Sequence, residues 1–309
     1  MMMRHSGLLA ALFGTGLALA ACDTETDTGE GTLSFRISGE GPATDGYPFV
    51  KDGVELSFVE GWEVQFDHIV ASMGEISVAA TDGTVAHQGT ERYLADLAQG
   101  DVTVLTLPDI TARRWDRIGV NVLPASSESI ALSGIDASIV DTMVSEGLTY
   151  YYDGRASRDG MSFRFVFGLR NPTTNTDCTN GDDSTQGVIV ENGSFTESEL
   201  TVHIDHLFWD TLGSEQLRLR FDAMAAADLE SVGGNGDGVI TFEELENQRL
   251  SDLRGLDGEP LLGDDGEILS YNPASTPLSE STLRGFVLAS TATQVHLNGL
   301  GFCTIQSSE

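Results

Sequence analysis

Several short segments in the first two-thirds of the chain place apolar residues at every second position, which is the pattern of half-buried β-strands. In the clearest of them, Ser162 and Arg164 lie on the opposite face from Phe163, Phe165, Phe167 and Leu169. The same alternation predicts strands at residues 33–37, 62–70, 102–107 and 118–122. Because turns rich in Gly and Asp separate these segments, we predict a mainly β fold, with an antiparallel β-sandwich over residues 32–221.

Helical patterns are sparse until late in the chain. Residues 136–145 predict one short helix, and residues 217–221 have the pattern of a further strand. Residues 222–229 and 242–250 then predict two helices on either side of a polar loop. A last helix is predicted over residues 282–295, with Ser281 or Thr282 as its N-cap. We therefore expect residues 222–309 to form a helical segment whose C-terminal helix packs on the sandwich.

The polar loop in this helical segment has the ligand spacing of a calcium site. Asn235 and Asp237 alternate with glycines, Gly238 allows a sharp turn, and Glu244 stands where a carboxylate would close the site. Ca²⁺ takes oxygen ligands, about six to eight at a time. Residues 235–244 resemble the EF-hand family in this respect. The resemblance implies a Ca²⁺ ion held by Asn235, Asp237, Val239 (through its carbonyl), Thr241 and Glu244.

The first ligand position of the loop departs from the family pattern, because Gly233 stands where an aspartate is expected. We interpret residues 229–233 as an insertion and Asp228 as the displaced first ligand. Glu230 is the other candidate for the first ligand. The alternative interpretation is a turn rich in Gly and Asn that precedes a helix and binds no ion.

The N-terminus carries an export signal. Arg4 precedes an apolar run over residues 8–21 that ends in Leu19-Ala20-Ala21-Cys22. This arrangement predicts a secretory signal peptide over residues 1–21, whose apolar run is too short to span a bilayer. The last four residues resemble the lipobox of bacterial lipoproteins, which implies that Cys22 becomes a lipidated N-terminus; an ordinary signal peptide with a chance cysteine is the alternative. Residues 22–31 would then be an acidic tether, and we expect an exported cell-envelope protein bound to a membrane by its lipid, at the outer membrane or the periplasmic face.

The charge and the cysteine content limit the classes of function that this chain could have. The chain has 48 acidic against 16 basic residues and a net charge of −32, which excludes nucleic-acid binding because phosphates are repelled. No Gly-x-Ser-x-Gly nucleophile motif and no phosphate-binding glycine loop occur, so we predict a protein that is not an enzyme. Beside Cys22, the pair Cys178 and Cys303 predicts a disulfide in an oxidising compartment. A metal site formed by Cys303 and His296 is the alternative use of that cysteine.

Residues 203–210 contain a second candidate metal site. On a strand, His203 and Asp205 share one face, whereas His206 lies on the opposite, apolar face. A copper or zinc ion held by His203 and Asp205, with His206, His68 or His296, is therefore an alternative function. A lone histidine on an apolar face is more often a hydrogen-bonded core residue.

The order of the strand blocks resembles that of periplasmic copper-associated proteins of the methanobactin-operon type. The similar blocks are residues 66–78, 105–122, 150–167 and 200–210. The second contains Leu-Pro-Asp-Ile-Thr at 107–111, and the third contains Asp-Gly-Arg-Ala at 153–156. This resemblance implies the sandwich, but no set of copper ligands transfers residue by residue.

Overall fold

The structure is a computed structural model that describes residues 29–51, 53–132, 134–181, 185–213, 217–263 and 266–307. The predicted signal peptide, Cys22 and residues 23–28 of the predicted tether lie outside these ranges. The last residues assigned to the tether, Glu30 and Gly31, belong to the first strand.

The fold is mainly β, as predicted. The strands of the described chain are β1 (Glu30–Ser38), β2 (Phe49–Lys51), β3 (Val54–Leu56), β4 (Glu63–Ala79), β5 (Val85–Gln88), β6 (Arg92–Asp96), β7 (Val102–Thr111), β8 (Arg113–Trp115), β9 (Arg117–Val122), β10 (Ile130–Ala131), β11 (Tyr150–Arg158), β12 (Met161–Leu169), β13 (Thr173–Thr176), β14 (Val188–Val190), β15 (Phe195–Val202), β16 (Val239–Thr241), β17 (Val295–Leu297) and β18 (Thr304–Ser307).

The sheets are mixed. One sheet has the order β17-β15-β1-β7, and a larger one follows β16-β12-β11-β4-β9-β13-β18, with β5 and β6 also on β4 and β10 on β6. Parallel pairs join β1 to β15, β6 to β10 and β12 to β16. The prediction of an antiparallel arrangement throughout is therefore wrong. Alternation along the chain shows which face of a strand is buried, but it does not show the direction of the neighbouring strand.

Helices are few and short. They are α1 (Glu40–Asp45), α2 (Ala137–Glu146), α3 (Asp222–Ala227) and α4 (Leu283–Thr291), with 3-10 helices at Leu97–Gln99, Ile204–Phe208 and Glu244–Asn247. The predicted helices at 136–145 and 282–295 correspond to α2 and α4. Thr282 is the N-cap of α4, because its hydroxyl accepts a hydrogen bond from the Gly285 amide at 3.2 Å. No helix in the described ranges is long and apolar enough to cross a bilayer.

The structure differs from the prediction at the end of the last helix and at residues 217–221, where pairing with distant segments takes the place of the predicted local structure. The last turn predicted for α4 is lost, since β17 pairs with β15 instead. Residues 217–221 do not form a strand; Leu219 makes only isolated pairings with Phe58 and Trp209.

An aromatic cluster in the core positions both candidate sites. The ring centroids of Phe58 and Phe208 are 5.0 Å apart, and those of Trp62 and Phe221 are 5.2 Å apart. Such pairs add about 0.5–1.5 kcal/mol beyond their area burial. Phe208 ends the 3-10 helix that carries the histidines, and Phe221 directly precedes α3. The core therefore fixes the start of the predicted calcium loop (residues 228–244, called the calcium-type loop below) against the end of the histidine segment (residues 203–208).

The predicted disulfide is present. The sulfurs of Cys178 and Cys303 are 2.08 Å apart and close a separation of 125 residues. Since its sulfur is in the disulfide, Cys303 is not available as a metal ligand beside His296. The bond joins the middle of the chain to the segment that follows β17.

Candidate metal centres

α3 delivers Asp228 to the loop from a fixed position. The alanines and methionine of this helix are fully buried, and Asp222 at its first turn accepts a hydrogen bond from the Trp62 indole nitrogen at 2.7 Å. Arg158 lies 2.6 Å from the same carboxylate. Because the helix cannot shift, the residue that follows its last turn has a defined place.

Asp228 is a buried carboxylate that faces the loop. Its residue exposure is 2%, and its Oδ2 accepts a hydrogen bond from the Gly238 amide at 3.0 Å. Its Oδ1 is buried and has no hydrogen-bond partner in the described residues. An unpaired oxygen on a buried carboxylate is costly, so this atom fits a site for a cation.

The insertion folds back over the end of α3. The Gly236 amide donates to the Asp228 carbonyl at 2.7 Å, and the Gly234 amide donates to the Leu229 carbonyl at 2.9 Å. A Cβ at Gly234 would lie only 2.3 Å from the Ala227 carbonyl oxygen, so only glycine fits this close passage. Glu230, the substitute considered for Asp228, is exposed. Asp228 is therefore buried with one oxygen bonded to the loop, whereas Glu230 is exposed and its side chain lies near Gly236.

The remaining predicted ligands lie on the same loop and bond to its amides, but the carboxylates of Asp228, Asp237 and Glu244 are not among the described groups whose ligand atoms all lie within 4.8 Å of one another. The Asn235 side-chain oxygen accepts from the Asp237 amide at 2.9 Å, and the Asp237 carboxylate accepts from the Val239 amide at 2.8 Å. Glu244 accepts from the Asn235 amide at 3.1 Å with one carboxylate oxygen. With the other it accepts from the amide and hydroxyl of Thr241, at 2.8 and 3.0 Å. Glu244 therefore bridges the two ends of the loop from the position predicted for it.

The exit from the loop is not the helix predicted at 242–250. β16 pairs in parallel with β12, and only the 3-10 helix Glu244–Asn247 follows. The chain after this turn bonds to distant partners instead of continuing a helix. The Leu250 amide donates to the Ser281 carbonyl at 3.2 Å, and the Gln248 carbonyl accepts from the Leu283 amide at 2.8 Å. The flanking helices are thus a six-residue α3 and a single 3-10 turn.

The histidine segment is a 3-10 helix and not a strand, which changes the grouping predicted for it. His203 directly follows β15 and is the N-cap of the 3-10 helix Ile204–Phe208. In a 3-10 helix, residues three apart are eclipsed, so His206 lies over His203 and not on the opposite face. Their ring centroids are 5.5 Å apart. Ligand atoms of His203, Asp205 and His206 all lie within 4.8 Å of one another.

Hydrogen bonds define which nitrogen of two histidines carries a proton. The Nε2 of His203 lies 2.8 Å from the Gly299 carbonyl oxygen, which only accepts, so this nitrogen is a donor. The Thr293 hydroxyl donates to the Ser290 carbonyl at 2.8 Å, so it accepts from the Nδ1 of His206 at 2.9 Å. A metal-bound histidine commonly donates its second nitrogen in this way, since the bond fixes the ring and raises its basicity.

Electrostatics separate the histidines. Burial lowers the pKa of His206 to about 3 and that of His296 to about 4, so both rings are neutral near pH 7. Burial also opposes the charge on His203, but the Asp205 carboxylate outweighs it and raises the pKa of His203 above its ordinary value. Burial likewise opposes ionisation of Asp205, yet His203 and His206 hold the pKa of Asp205 below its usual range. The group therefore combines the neutral ring of His206 with a charged Asp205 carboxylate that favours the protonated form of His203.

The other histidines considered as ligands differ in position. The ring of His296 lies 4.5 Å from that of His203, between centroids. Its Nε2 lies 3.0 Å from the Thr293 carbonyl, and its Nδ1 is buried without a partner in the described residues. His68 is engaged elsewhere, because its Nδ1 lies 2.7 Å from the buried carboxylate of Asp96.

One acidic neighbour of the histidines was missed by sequence reasoning. The Oε2 of Glu40, the first residue of α1, lies 3.5 Å from the Nδ1 of His203. No motif or spacing connects Glu40 to the histidine segment, and only the fold brings them together.

No protein-family model, curated protein or solved structure matches this chain.

Proposed function

We propose that the chain is a non-enzymatic, lipid-anchored protein of a bacterial cell envelope that binds Ca²⁺ in the loop from Asp228 to Glu244. The observation that carries the proposal is the buried, unpaired Oδ1 of Asp228, whose partner oxygen is already bonded to the loop glycine Gly238. A divalent cation at this position would offset the cost of the buried charge.

The proposed ligand set has the chemistry that Ca²⁺ prefers. Side-chain oxygens would come from Asp228, Asn235, Asp237, Thr241 and Glu244, and Val239 would add its carbonyl oxygen. Three of these groups are carboxylates, and Ca²⁺ affinity follows the charge count and the rigidity of the site. The pairing of β16 with β12 supplies rigidity that a lone loop between two short helices would lack.

A structural role for the ion follows from the same pairing. The loop joins α3 to an edge of the larger sheet, so bound Ca²⁺ would hold the last third of the chain against that sheet. A ligand present at about 100 times its dissociation constant stabilises the folded state by about 2.7 kcal/mol.

Removal of Ca²⁺ with EGTA is expected to lower the melting temperature by about 5 °C, the shift that about 2.7 kcal/mol produces in a domain of this size. Thermal unfolding followed by circular dichroism would measure it. The control is an equal concentration of EGTA with excess Ca²⁺ restored, because general effects of the buffer would remain there. Equal melting temperatures with and without Ca²⁺ would overturn the proposed function.

The lipid anchor rests on the sequence Leu-Ala-Ala-Cys at 19–22. Cys22→Ser is expected to move the protein from the membrane fraction to the soluble fraction when it is produced in a bacterium that processes lipoproteins. Detergent phase partition and labelling with radioactive palmitate would measure the change. Membrane association that survives Cys22→Ser would contradict the anchor without affecting the calcium proposal.

The arrangement of the two larger sheets relative to each other is also part of this proposal. We infer that the two larger sheets stack as a β-sandwich with the calcium loop as an EF-hand-like appendage. What supports this is a single apolar core that contains Leu33 and Phe35 of one sheet together with Ile69 and Phe165 of the other. An experimental structure in which these sheets lie edge to edge would contradict it.

A second candidate function is binding of a transition metal, copper or zinc, by His203, Asp205 and His206. It is favoured by the approach of the three ligand atoms to within 4.8 Å and by the hydrogen bonds that orient both imidazoles. Metal analysis of protein purified without an affinity tag would test it, with about one ion per chain expected and none in His203→Ala.

A further inference from the structure

Glu40 reaches the histidine group from a distant part of the chain. The 3.5 Å from its Oε2 to the Nδ1 of His203 compares with 3.7 Å from the Asp205 Oδ1 to the same nitrogen. The other oxygen of Glu40 lies 3.0 Å from the Lys51 ammonium group. Lys51 thus holds one oxygen of the carboxylate while the second faces the histidine.

We infer that Glu40 is the fourth protein ligand of a Zn²⁺ site formed with His203, Asp205 and His206. This inference rests on the second candidate function and identifies both a ligand and the class of ion. Two imidazoles and two carboxylates would form the site.

The spacing of the ligand atoms fits a shared ion better than direct hydrogen bonds. In a tetrahedral site with metal–ligand bonds of about 2.0–2.2 Å, atoms of different ligands lie about 3.3–3.6 Å apart. The separations of 3.5 and 3.7 Å are close to this range and exceed those of ordinary hydrogen bonds. The ligand atoms of His203, Asp205 and His206 already lie within 4.8 Å of one another, and Glu40 would have to move closer to this group to complete the site.

The charges and ligand types select a divalent ion of intermediate softness. Two carboxylates balance a 2+ charge, and histidine binds a metal ion through a neutral imidazole. Imidazole nitrogens suit Zn²⁺, whereas Ca²⁺ takes oxygen ligands and Cu⁺ prefers sulfur. The calcium-type loop and this group would therefore take different ions from the same medium.

A cleft gives an ion access to Glu40, His203 and Asp205, whereas His206 lines a separate cavity. A cavity of about 390 Å³ is lined by Glu40, His203 and Asp205 on one side and by Phe49 and Leu56 on another. The buried hydroxyl of Tyr47 has no hydrogen-bond partner in the described residues. Its pKa is raised well above the ordinary value, by burial first and then by the carboxylates of Asp205 and Glu40. Both carboxylates therefore influence the buried hydroxyl of Tyr47.

The test is a Zn²⁺ titration of the full protein by calorimetry, with Ca²⁺ in excess so that the calcium-type loop is occupied and with salt to screen diffuse binding. We expect one Zn²⁺ per chain in the wild type, loss of binding in His203→Ala, and affinity weakened at least about tenfold in Glu40→Gln. The matched control is Asp45→Asn, which removes an exposed carboxylate from the same helix and should bind like the wild type. Thermal unfolding without Zn²⁺ verifies that each variant is folded.

The outcomes separate the two levels of the argument. Absence of stoichiometric Zn²⁺ binding in the wild type would overturn the inference, and the second candidate function would also be overturned if Cu²⁺ failed to bind in the same assay. Unchanged binding in His203→Ala would overturn both. Loss in His203→Ala with wild-type affinity in Glu40→Gln would leave that function standing and overturn the role of Glu40. Equal weakening in Asp45→Asn would also overturn it, because net charge and not ligation would then be the cause. If Glu40→Gln fails to fold, Glu40→Asp is the second variant; it keeps the charge but shortens the reach, and unchanged affinity there would contradict direct ligation.

Discussion

Asp228→Asn is expected to weaken Ca²⁺ binding about 10- to 100-fold, the effect of losing about 1.5–3 kcal/mol from a charged contact. Asparagine keeps an oxygen that can accept from the Gly238 amide, so the loop should retain its shape. It removes the buried charge that has no partner on Oδ1. The stability of the Ca²⁺-free form should therefore be unchanged or higher. Calorimetric titration with Ca²⁺ and melting in EGTA measure the two effects.

Three alanine variants distinguish ligation by Asp228 from a general loss of charge. Asp237→Ala should weaken binding about as much as Asp228→Ala, because each removes one carboxylate ligand. Glu230→Ala should have less effect, since Glu230 is exposed and lies on the insertion. Wild-type affinity in Asp228→Ala together with loss in Glu230→Ala would show that Glu230 is the ligand. If neither variant changes the affinity, a water molecule or a backbone oxygen occupies the first position.

Removal of the disulfide is expected to have the largest effect on stability. In the double variant Cys178→Ala/Cys303→Ala, the free energy of unfolding should fall by about 4–5 kcal/mol, because the bond closes a separation of 125 residues. The loss should appear in urea unfolding of the otherwise native protein. Loss of the disulfide should also change the surroundings of the histidines, since Cys303 lines a cleft together with His206 and His296.

Reducing agent provides the control for this comparison. Added dithiothreitol should destabilise the wild type but not the double variant, which has no disulfide to reduce. A decrease of less than about 1 kcal/mol in the double variant would show that the unfolded state gains little freedom from the loss of the bond.

Features that depend on local chemistry could be predicted from the sequence. The alternation in residues 162–169 predicted β12 because one face of that strand lies on the core. The hydroxyl of Thr282 predicted an N-cap. Because Cys178 and Cys303 are the two cysteines besides Cys22, they predicted the disulfide. The spacing from Asn235 to Glu244 likewise predicted a turn closed by a carboxylate, which the hydrogen bonds of Glu244 display.

Features that depend on long-range pairing could not be predicted from the sequence. The strand prediction for residues 203–210 separated His203 from His206, whereas the 3-10 helix aligns them. The period of a few residues is weak evidence, because a short apolar run fits a strand or a turn of helix equally well. The helix predicted at 242–250 also failed, since the carbonyl of Gln248 and the amide of Leu250 bond to residues near α4.

By itself, the sequence determined the mainly β class, the disulfide partners and the order of the oxygen-bearing residues around the loop, because each follows from side-chain type and near-neighbour spacing. Only the tertiary structure decided that β16 joins β12 in parallel, that Asp228 is buried with one oxygen unpaired, and that Glu40 stands beside His203. The physical reason is that burial and ion pairing depend on which segments the core brings together. Residues as distant as Glu40 and His203 carry no local signal of their contact.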